Sequence, residues 1–310
     1  FNLIKKEQVE SFLKFYFIIA VLHSITNVLL FFGSMGEVRY FGLASLYYDD
    51  LTMLIIPVGL AYFLWAKSKG QSLFYGAGSF ILILGLISTH SRAPLLTVVW
   101  VSIAMIIYSL IKAKRVNALY VRRRIKILLV STLTIFSVLL IIFLPIFSSV
   151  IGRFEELSDF NTGTIRLRLI LWNAAFISFS NNPLTGIGPG NFRYVGSIFP
   201  VLKYNPIFLH VSHLSAHNLV MHYLAENGLI GTIPLLALFY TYLRKSWSFV
   251  RGIGNDDSTP YLIGLFFTAV AISFSIFYLD GWLWGQNAYA LPFFLALSAR
   301  MVYNRKKDEK

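Results

Sequence analysis

The segment LSAHNLVMHYLAENGLIG, residues 214–231, combines ionisable side chains with the start of a long apolar run. His217 is of a type that exchanges a proton near neutral pH, so it can deprotonate a hydroxyl, and such a base contributes on the order of 10² to 10⁴-fold to a rate. Ser215 is the expected N-cap of the helix, whose dipole disfavours a charged imidazole. His217 is therefore a candidate general base; the alternative is an interfacial histidine that only begins a helix.

His222 and Glu226 follow in the same helix, four residues apart, so their side chains share one face. A buried structural hydrogen bond and a catalytic relay explain this pair equally well. Gly228 and Gly231 then predict a segment in which the helix packs closely against a neighbour.

Arginines are the candidate ligands for an anionic substrate. Arg92 follows Ser91 in a predicted tight turn, and Arg168 shares a helical face with Trp172, with Arg166 beside it. A guanidinium binds phosphate through two parallel hydrogen bonds and stays charged at any relevant pH. The alternative is that Arg92 anchors a helix end at the lipid headgroups and that Arg168 rests on lipid phosphates.

No residue pattern indicates a metal site. Asp49 and Asp50 have no nearby histidine or third carboxylate, and the loose cluster of His210, His213 and His217 has no further ligand in place. The chain contains no cysteine, which excludes disulfides, thiolate zinc sites and cysteine nucleophiles. We therefore expect chemistry without a metal or other cofactor.

The elements that must position these residues are membrane helices. Hydrophobic residues make up 56% of the chain and charged residues only 13%, whereas a soluble domain has roughly 25% charged residues. Eight apolar runs are long enough to cross a hydrocarbon layer of about 30 Å, which predicts an all-α, polytopic membrane helix bundle. The runs lie near 12–33, 51–66, 72–90, 93–111, 127–150, 217–243, 261–279 and 287–303. Because the chain begins at Phe1, with no initiator Met and no signal-peptide pattern, we expect a fragment of a longer protein with further N-terminal helices.

The basic residues set the orientation of this bundle. Most of the 27 Lys and Arg residues fall in one set of alternate loops, so both ends of the chain and the loop 112–126 are expected in the cytoplasm. This charge should attract membrane lipids and not nucleic acid, because the chain has no nucleic-acid-binding module. The predicted organisation is five spans in 1–150, a long outer loop in 151–216, and three spans with a cytoplasmic tail in 217–310.

Two motifs stand out in the predicted outer loop. The stretch IRLRLILWNAAFISF, residues 165–179, predicts an amphipathic helix on the outer leaflet with Trp172 near the headgroups. The stripe expected to lie along that surface is Ile165, Leu169, Trp172, Phe176 and Phe179. The stretch NNPLTGIGPGNF, residues 181–192, fits a tight surface turn; alternatively, Gly188 and Gly190 form a backbone nest that binds an anion.

Taken in order, these motifs resemble the bacterial O-antigen ligase family, which also includes O-antigen and capsule polymerases and some protein O-oligosaccharyltransferases. The resemblance runs from about Arg39 to the last span. It is carried by Ser91-Arg92, RLILW at 168–172, NNPLTGIGPGNF at 181–192, His217-Asn218 and ENGLIG at 226–231.

This resemblance implies a metal-independent, inverting glycosyltransferase of C-type architecture in the bacterial inner membrane. Its active site would be on the periplasmic face, with 151–216 as the periplasmic catalytic loop. Its donor would be a glycan on undecaprenyl diphosphate, and its acceptor lipid A core or another lipid-linked glycan. By the same resemblance, Arg92 and Arg168 would hold the diphosphate and His217 would activate the acceptor hydroxyl. Other residues expected to contact the donor or glycan are Arg39, His90, Arg166, Gly188, Gly190 and Asn218, with His222 and Glu226 as accessory residues.

A transporter or flippase for polyprenyl-linked or anionic glycans is the second hypothesis, with the arginines lining a conduit. Such proteins favour internal repeats and polar residues at mid-membrane depth, whereas the polar residues here cluster at one face. A purely structural membrane subunit would leave the long loop 151–216 unexplained, because loops of that length usually carry function.

Overall fold

The computed structural model describes residues 6–33, 48–89, 91–142, 163–198 and 215–278. These residues form helices and turns, with no strand among them. The helices are α1 (Lys6–Gly33), α2 (Tyr48–Trp65), α3 (Lys69–Ser88), α4 (Arg92–Arg115), α5 (Leu119–Ile142), α6 (Gly163–Asn181), a 3-10 turn (Phe192–Tyr194), α7 (Val195–Ile198), α8 (Leu219–Gly252) and α9 (Thr259–Ser275).

Helix length and hydropathy confirm the polytopic membrane class. Four described helices are long and apolar enough to cross a bilayer: Gln8–Gly33 within α1, and α3, α4 and α8 in full. Leu51–Trp65 and α9 are shorter apolar helices. Residues 143–150 of one predicted span, and the whole predicted span 287–303, lie outside the described residues.

The chain divides into two compact units. The first contains Phe1–Gly152, Tyr242–Ile272 and Ala290–Lys310. The second contains Arg153–Thr241 and Ser273–Tyr289.

The first unit is built around α2, which is buried along almost its whole length and packs against α1, α3, α4 and α5. A helix that is apolar on all sides is expected in such a central position. Glycines allow the close contacts, since a Cβ on Gly59 or on Gly78 would lie 2.5 Å from the ring of Phe17. Thr268 of α9 donates a hydrogen bond to the Leu54 carbonyl at 2.7 Å, which ties α9 to the same helix.

The tight connection predicted between two neighbouring spans is confirmed. Helix α3 ends at Ser88 and α4 begins at Arg92. The Thr89 hydroxyl donates to the Leu86 carbonyl at 2.8 Å and accepts from the Ser91 N–H at 3.2 Å, so the turn is closed by its own side chain. Arg92 therefore stands at the first position of a membrane helix.

Part of the basic loop 112–126 has a structural role beyond orientation. Lys112 is buried, and its Nζ donates to the Arg251 carbonyl at 3.0 Å. Arg124 donates to the carbonyls of Leu64, in the last turn of α2, and of Ala66, the residue that follows this helix. These cations satisfy helix-end carbonyls that would otherwise lack hydrogen-bond donors.

The second unit has a small apolar core formed by α6, the 3-10 turn, α7 and the start of α8. Its members are Leu171, Ala174, Ala175, Phe192, Val195, Ala216 and Ala225. Two residues of the stripe predicted to lie along the leaflet surface are outside this core, Leu169 at 45% exposed and Phe176 at 59% exposed. Apolar residues occupy more than one face of α6, and the face with two alanines is the one that allows a close approach of neighbouring backbone.

Candidate active site

The second unit contains an interruption of helix α8 at Gly228. This residue has φ 56° and ψ −156°, a combination that is essentially restricted to glycine. The N–H groups that the break frees are bonded to residues 181–192, called here the glycine-rich loop. Leu229 donates to the Pro183 carbonyl at 2.9 Å and Ile230 to the Leu184 carbonyl at 3.1 Å. A Cβ on Gly228 would lie 2.4 Å from the Leu184 carbonyl, so the predicted close packing is with loop backbone.

The same loop also donates hydrogen bonds to α8. The Ile187 N–H binds the Ala225 carbonyl and the Gly188 N–H binds the Glu226 carbonyl, both at 2.9 Å. Gly186, with φ 67°, allows this approach, since a Cβ there would lie 2.4 Å from the Glu226 carbonyl carbon. The glycine-rich loop and the break in α8 are therefore one interlocked backbone structure.

The buried carboxylate of Glu226 completes this interlock. It is 6% exposed and accepts from the Gly190 N–H at 2.8 Å and from the Phe192 N–H at 2.9 Å. His222 Nε2 lies 3.4 Å from the same carboxylate, so the predicted partner of Glu226 is confirmed. The loop is thus a tight turn whose backbone N–H groups also form an anion-binding nest. The anion bound there is the Glu226 side chain of the same protein. In this arrangement the N–H groups of Gly188 and Gly190 are both bonded to Glu226.

Side chains from two helices hold the peptide groups of Ala216, the residue before His217. The indole N–H of Trp172, on α6, donates to the Ala216 carbonyl at 2.9 Å. The Ala216 N–H donates to Nδ1 of His222, on α8, at an N–N distance of 3.5 Å. The indole N–H of Trp172, expected near the headgroups, is thus bonded to the protein backbone.

His217 is exposed, and its backbone has φ 47°, in the left-handed region. This conformation costs of order 1–3 kcal/mol in a residue with a side chain, so its surroundings must hold it in place. The next residue, Asn218, provides such a restraint. Its Oδ1 accepts from the Met221 N–H at 3.0 Å and its Nδ2 donates to the Phe277 carbonyl at 2.7 Å.

Asn218, and not Ser215, is therefore the N-cap of α8, and the expectation for Ser215 is wrong. Helix α8 begins at Leu219, so the capping acceptor must come from the residue immediately before it. The amide of Asn218, expected to contact the substrate, is engaged at both its oxygen and its nitrogen.

The described arginines take different positions. Arg166 is exposed on the side of α6 that carries Leu169 and Phe176. Arg168 is half-buried, one helical turn from Trp172 and on the same face. That face leads to Ala216 and so to the segment that carries His217.

The remaining predicted residues are distributed as follows. Arg92 is half-buried at the start of α4 in the first unit. Arg39, His90, His210 and His213 lie outside the described residues. Within the described part of the chain, no group of three His, Cys, Asp or Glu side chains could hold a metal ion.

Comparison with known proteins places the chain in a family. A family model described as O-antigen ligase matches residues 77–236, which is just over half of the 310 residues and includes α6, the glycine-rich loop and the start of α8. No curated protein matches the chain. The chain therefore belongs to the O-antigen ligase family, whose members are membrane glycosyltransferases of the ligase and polymerase type that act on lipid-linked glycans.

Proposed function

We propose that this protein transfers a glycan from undecaprenyl diphosphate to a sugar hydroxyl, with inversion at the anomeric carbon, on the outer face of the bacterial inner membrane. One observation carries the proposal. His217 is exposed in a strained backbone conformation, while both neighbouring residues are held by hydrogen bonds. Strain that is maintained in this way is typical of functional sites.

In the proposed reaction, His217 is the general base. Its imidazole removes the proton from the acceptor hydroxyl, and the hydroxyl oxygen attacks the anomeric carbon of the donor sugar. A new glycosidic bond forms as the bond between that carbon and the diphosphate oxygen breaks. The diphosphate leaves with the electron pair, and a single displacement of this kind inverts the anomeric configuration.

Arg168 is the proposed ligand of the leaving diphosphate within the second unit. Its guanidinium can bind two phosphate oxygens and neutralise the charge that develops on them. The position of Arg168 on the Trp172 face favours it over Arg166. For Arg92 the proposal rests on the family resemblance of Ser91-Arg92 and on its position at the start of α4.

We propose that no metal takes part in this reaction, because arginines can supply the positive charge that a divalent cation would otherwise provide. The acceptor is lipid A core if the protein is a ligase, and a second lipid-linked glycan if it is a polymerase. Both acceptors should be supplied in separate assays, since the same donor chemistry serves either one.

The experiment uses purified protein in detergent with an undecaprenyl-diphosphate glycan, an acceptor and EDTA. We expect the wild type to transfer sugar, and His217→Ala and Arg168→Ala each to lower the rate at least about 10²-fold, as loss of a general base or of a charge-stabilising group does. Arg193→Ala is the matched control, because Arg193 is an exposed arginine of the same unit whose guanidinium lies 4.9 Å from the centre of the Tyr194 ring.

Wild-type rates for both His217→Ala and Arg168→Ala would disprove the mechanism. A complete loss of transfer in EDTA that is restored by added Mg²⁺ would disprove the metal-independent part. Substrate transport without any transfer of sugar would favour the flippase hypothesis.

A further inference from the structure

Ala216 is buried, and both of its backbone polar groups are hydrogen-bonded to side chains of neighbouring helices. The residue is 0% exposed, and its carbonyl and N–H are each bonded to a side chain, Trp172 from α6 and His222 from α8. The next residue in the chain is His217, so the orientation of the Ala216 peptide groups limits where the His217 imidazole can point.

His222 is itself fixed. Its ring lies 5.1 Å from the ring of Phe192, centre to centre, and its Nε2 lies 3.4 Å from the Glu226 carboxylate. The Ala216 N–H donates to Nδ1, and the other ring nitrogen, Nε2, faces the carboxylate. Glu226 is held in turn by the N–H groups of Gly190 and Phe192.

Neither member of the His222–Glu226 pair is placed to meet a substrate. His222 is 1% exposed and Glu226 6% exposed, and the carboxylate oxygens of Glu226 are occupied by backbone donors. A proton relay to the acceptor would need at least one of them to reach the surface. Instead, Nδ1 of His222 accepts from the Ala216 N–H, and Ala216 directly precedes the exposed His217.

From this arrangement we infer that Trp172 and His222 are positioning residues of the transfer reaction: together they hold the peptide groups of Ala216 and so orient the His217 imidazole. Glu226, which the glycine-rich loop holds through the N–H groups of Gly190 and Phe192, lies against Nε2 of His222. The inference rests on the proposed function, because it assigns these residues to the positioning of its general base. A displacement of about 1 Å in a catalytic group can lower a rate on the order of 10²-fold, so small losses in this support should be measurable.

The first test is Trp172→Phe, which keeps an aromatic ring but removes the indole N–H. We expect kcat per folded molecule to fall ten- to hundredfold, with the KM values for donor and acceptor within about twofold of wild type. Trp100→Phe is the matched control, since Trp100 is 59% exposed on α4. A merely structural role of Trp172 would lower the melting temperature and the folded yield but leave kcat per folded molecule unchanged, and that result would overturn the inference.

The second test compares two substitutions of His222 that each keep one of its contacts. In His222→Asn the amide oxygen takes the place of Nδ1 and can still accept from Ala216. In His222→Gln the amide nitrogen takes the place of Nε2 and can still donate to Glu226. We expect the Asn variant to retain a kcat several-fold higher than that of the Gln variant. Equal rates, or a higher rate for the Gln variant, would overturn the inference.

His217→Ala separates this inference from the proposed function. If His217→Ala transfers sugar normally, the proposed base is wrong and its positioning residues lose their role. If His217→Ala is inactive while Trp172→Phe and His222→Gln retain wild-type kcat, the proposed function stands and only the inference fails.

Discussion

At the scale of single residues, the internal anion Glu226 is the most informative side chain. The sequence placed His222 within its reach, because residues four apart share a helical face. It did not identify the two backbone donors, which lie 36 and 34 residues away in a loop. Any residue other than proline provides a backbone N–H, so no side-chain pattern marks those two. The same limit applies to Ser215 and Asn218, which are both good N-cap types, so that only the observed start of α8 decides between them.

We predict that Glu226→Gln destabilises the protein by about 1 to 3 kcal/mol, the cost of leaving a buried hydrogen-bonding group without a partner. The neutral amide keeps the shape of the side chain, but its NH₂ group faces a backbone N–H that formerly donated to an oxygen. Thermal unfolding in detergent, followed by circular dichroism, measures the change. Asp257→Asn is the control, because Asp257 is an exposed residue paired with the exposed Lys67 at 2.9 Å, and such pairs contribute little. An unchanged melting temperature for Glu226→Gln would contradict the prediction.

At the scale of secondary-structure elements, hydropathy predicted where most helices lie but not where α8 breaks. A single glycine in an apolar helix is usually tolerated, so Gly228 alone does not predict an interruption. The break depends on the carbonyls of Pro183 and Leu184, which replace the lost helical partners of Leu229 and Ile230. Helix α6 shows a related limit: because apolar residues occupy several of its faces, the neighbouring elements decide which face is buried within the protein.

We predict a graded response when glycines of this interlock are replaced by alanine. Gly228→Ala should cost more than about 2 kcal/mol, because it combines a strained backbone with a Cβ 2.4 Å from the Leu184 backbone. Gly190→Ala should cost about 1–2 kcal/mol, since it has φ 77° but no atom within 4 Å of the new Cβ. Gly254→Ala, at an open site without positive φ, is the control. The melting temperatures should fall in that order, and a reversed order for Gly228 and Gly190 would contradict the interlock.

At the scale of the whole molecule, composition alone established the membrane class, and the distribution of Lys and Arg supplied an orientation. The predicted orientation depends on the excess of Lys and Arg in the loops assigned to the cytoplasm. It assigns α6 and the glycine-rich loop to the outer face. The hydrogen bonds from Lys112 and Arg124 to backbone carbonyls show that some of this charge also stabilises helix ends. Replacing those two residues would therefore change stability as well as orientation.

Because the chain contains no cysteine, single introduced thiols can test the orientation. We predict that Ser197→Cys is labelled in intact spheroplasts by a membrane-impermeant maleimide, since Ser197 is exposed in the segment assigned to the outer face. Ser248→Cys, an equally conservative change at an exposed position near the basic end of α8, should be labelled only after the membrane is permeabilised. Labelling of Ser248→Cys in intact spheroplasts would reverse the proposed orientation.

The interlock between the glycine-rich loop and α8 also has a consequence for biosynthesis. Gly190 and Glu226 are 36 residues apart, and the loop is translated first. Until α8 leaves the ribosome and enters the membrane, the loop lacks the carboxylate and carbonyls to which it is bonded in the finished protein. The strained histidine at the start of α8 can therefore be held in place only late in synthesis, so a nascent chain that stops short of Glu226 should already contain Arg168 but have no assembled catalytic site.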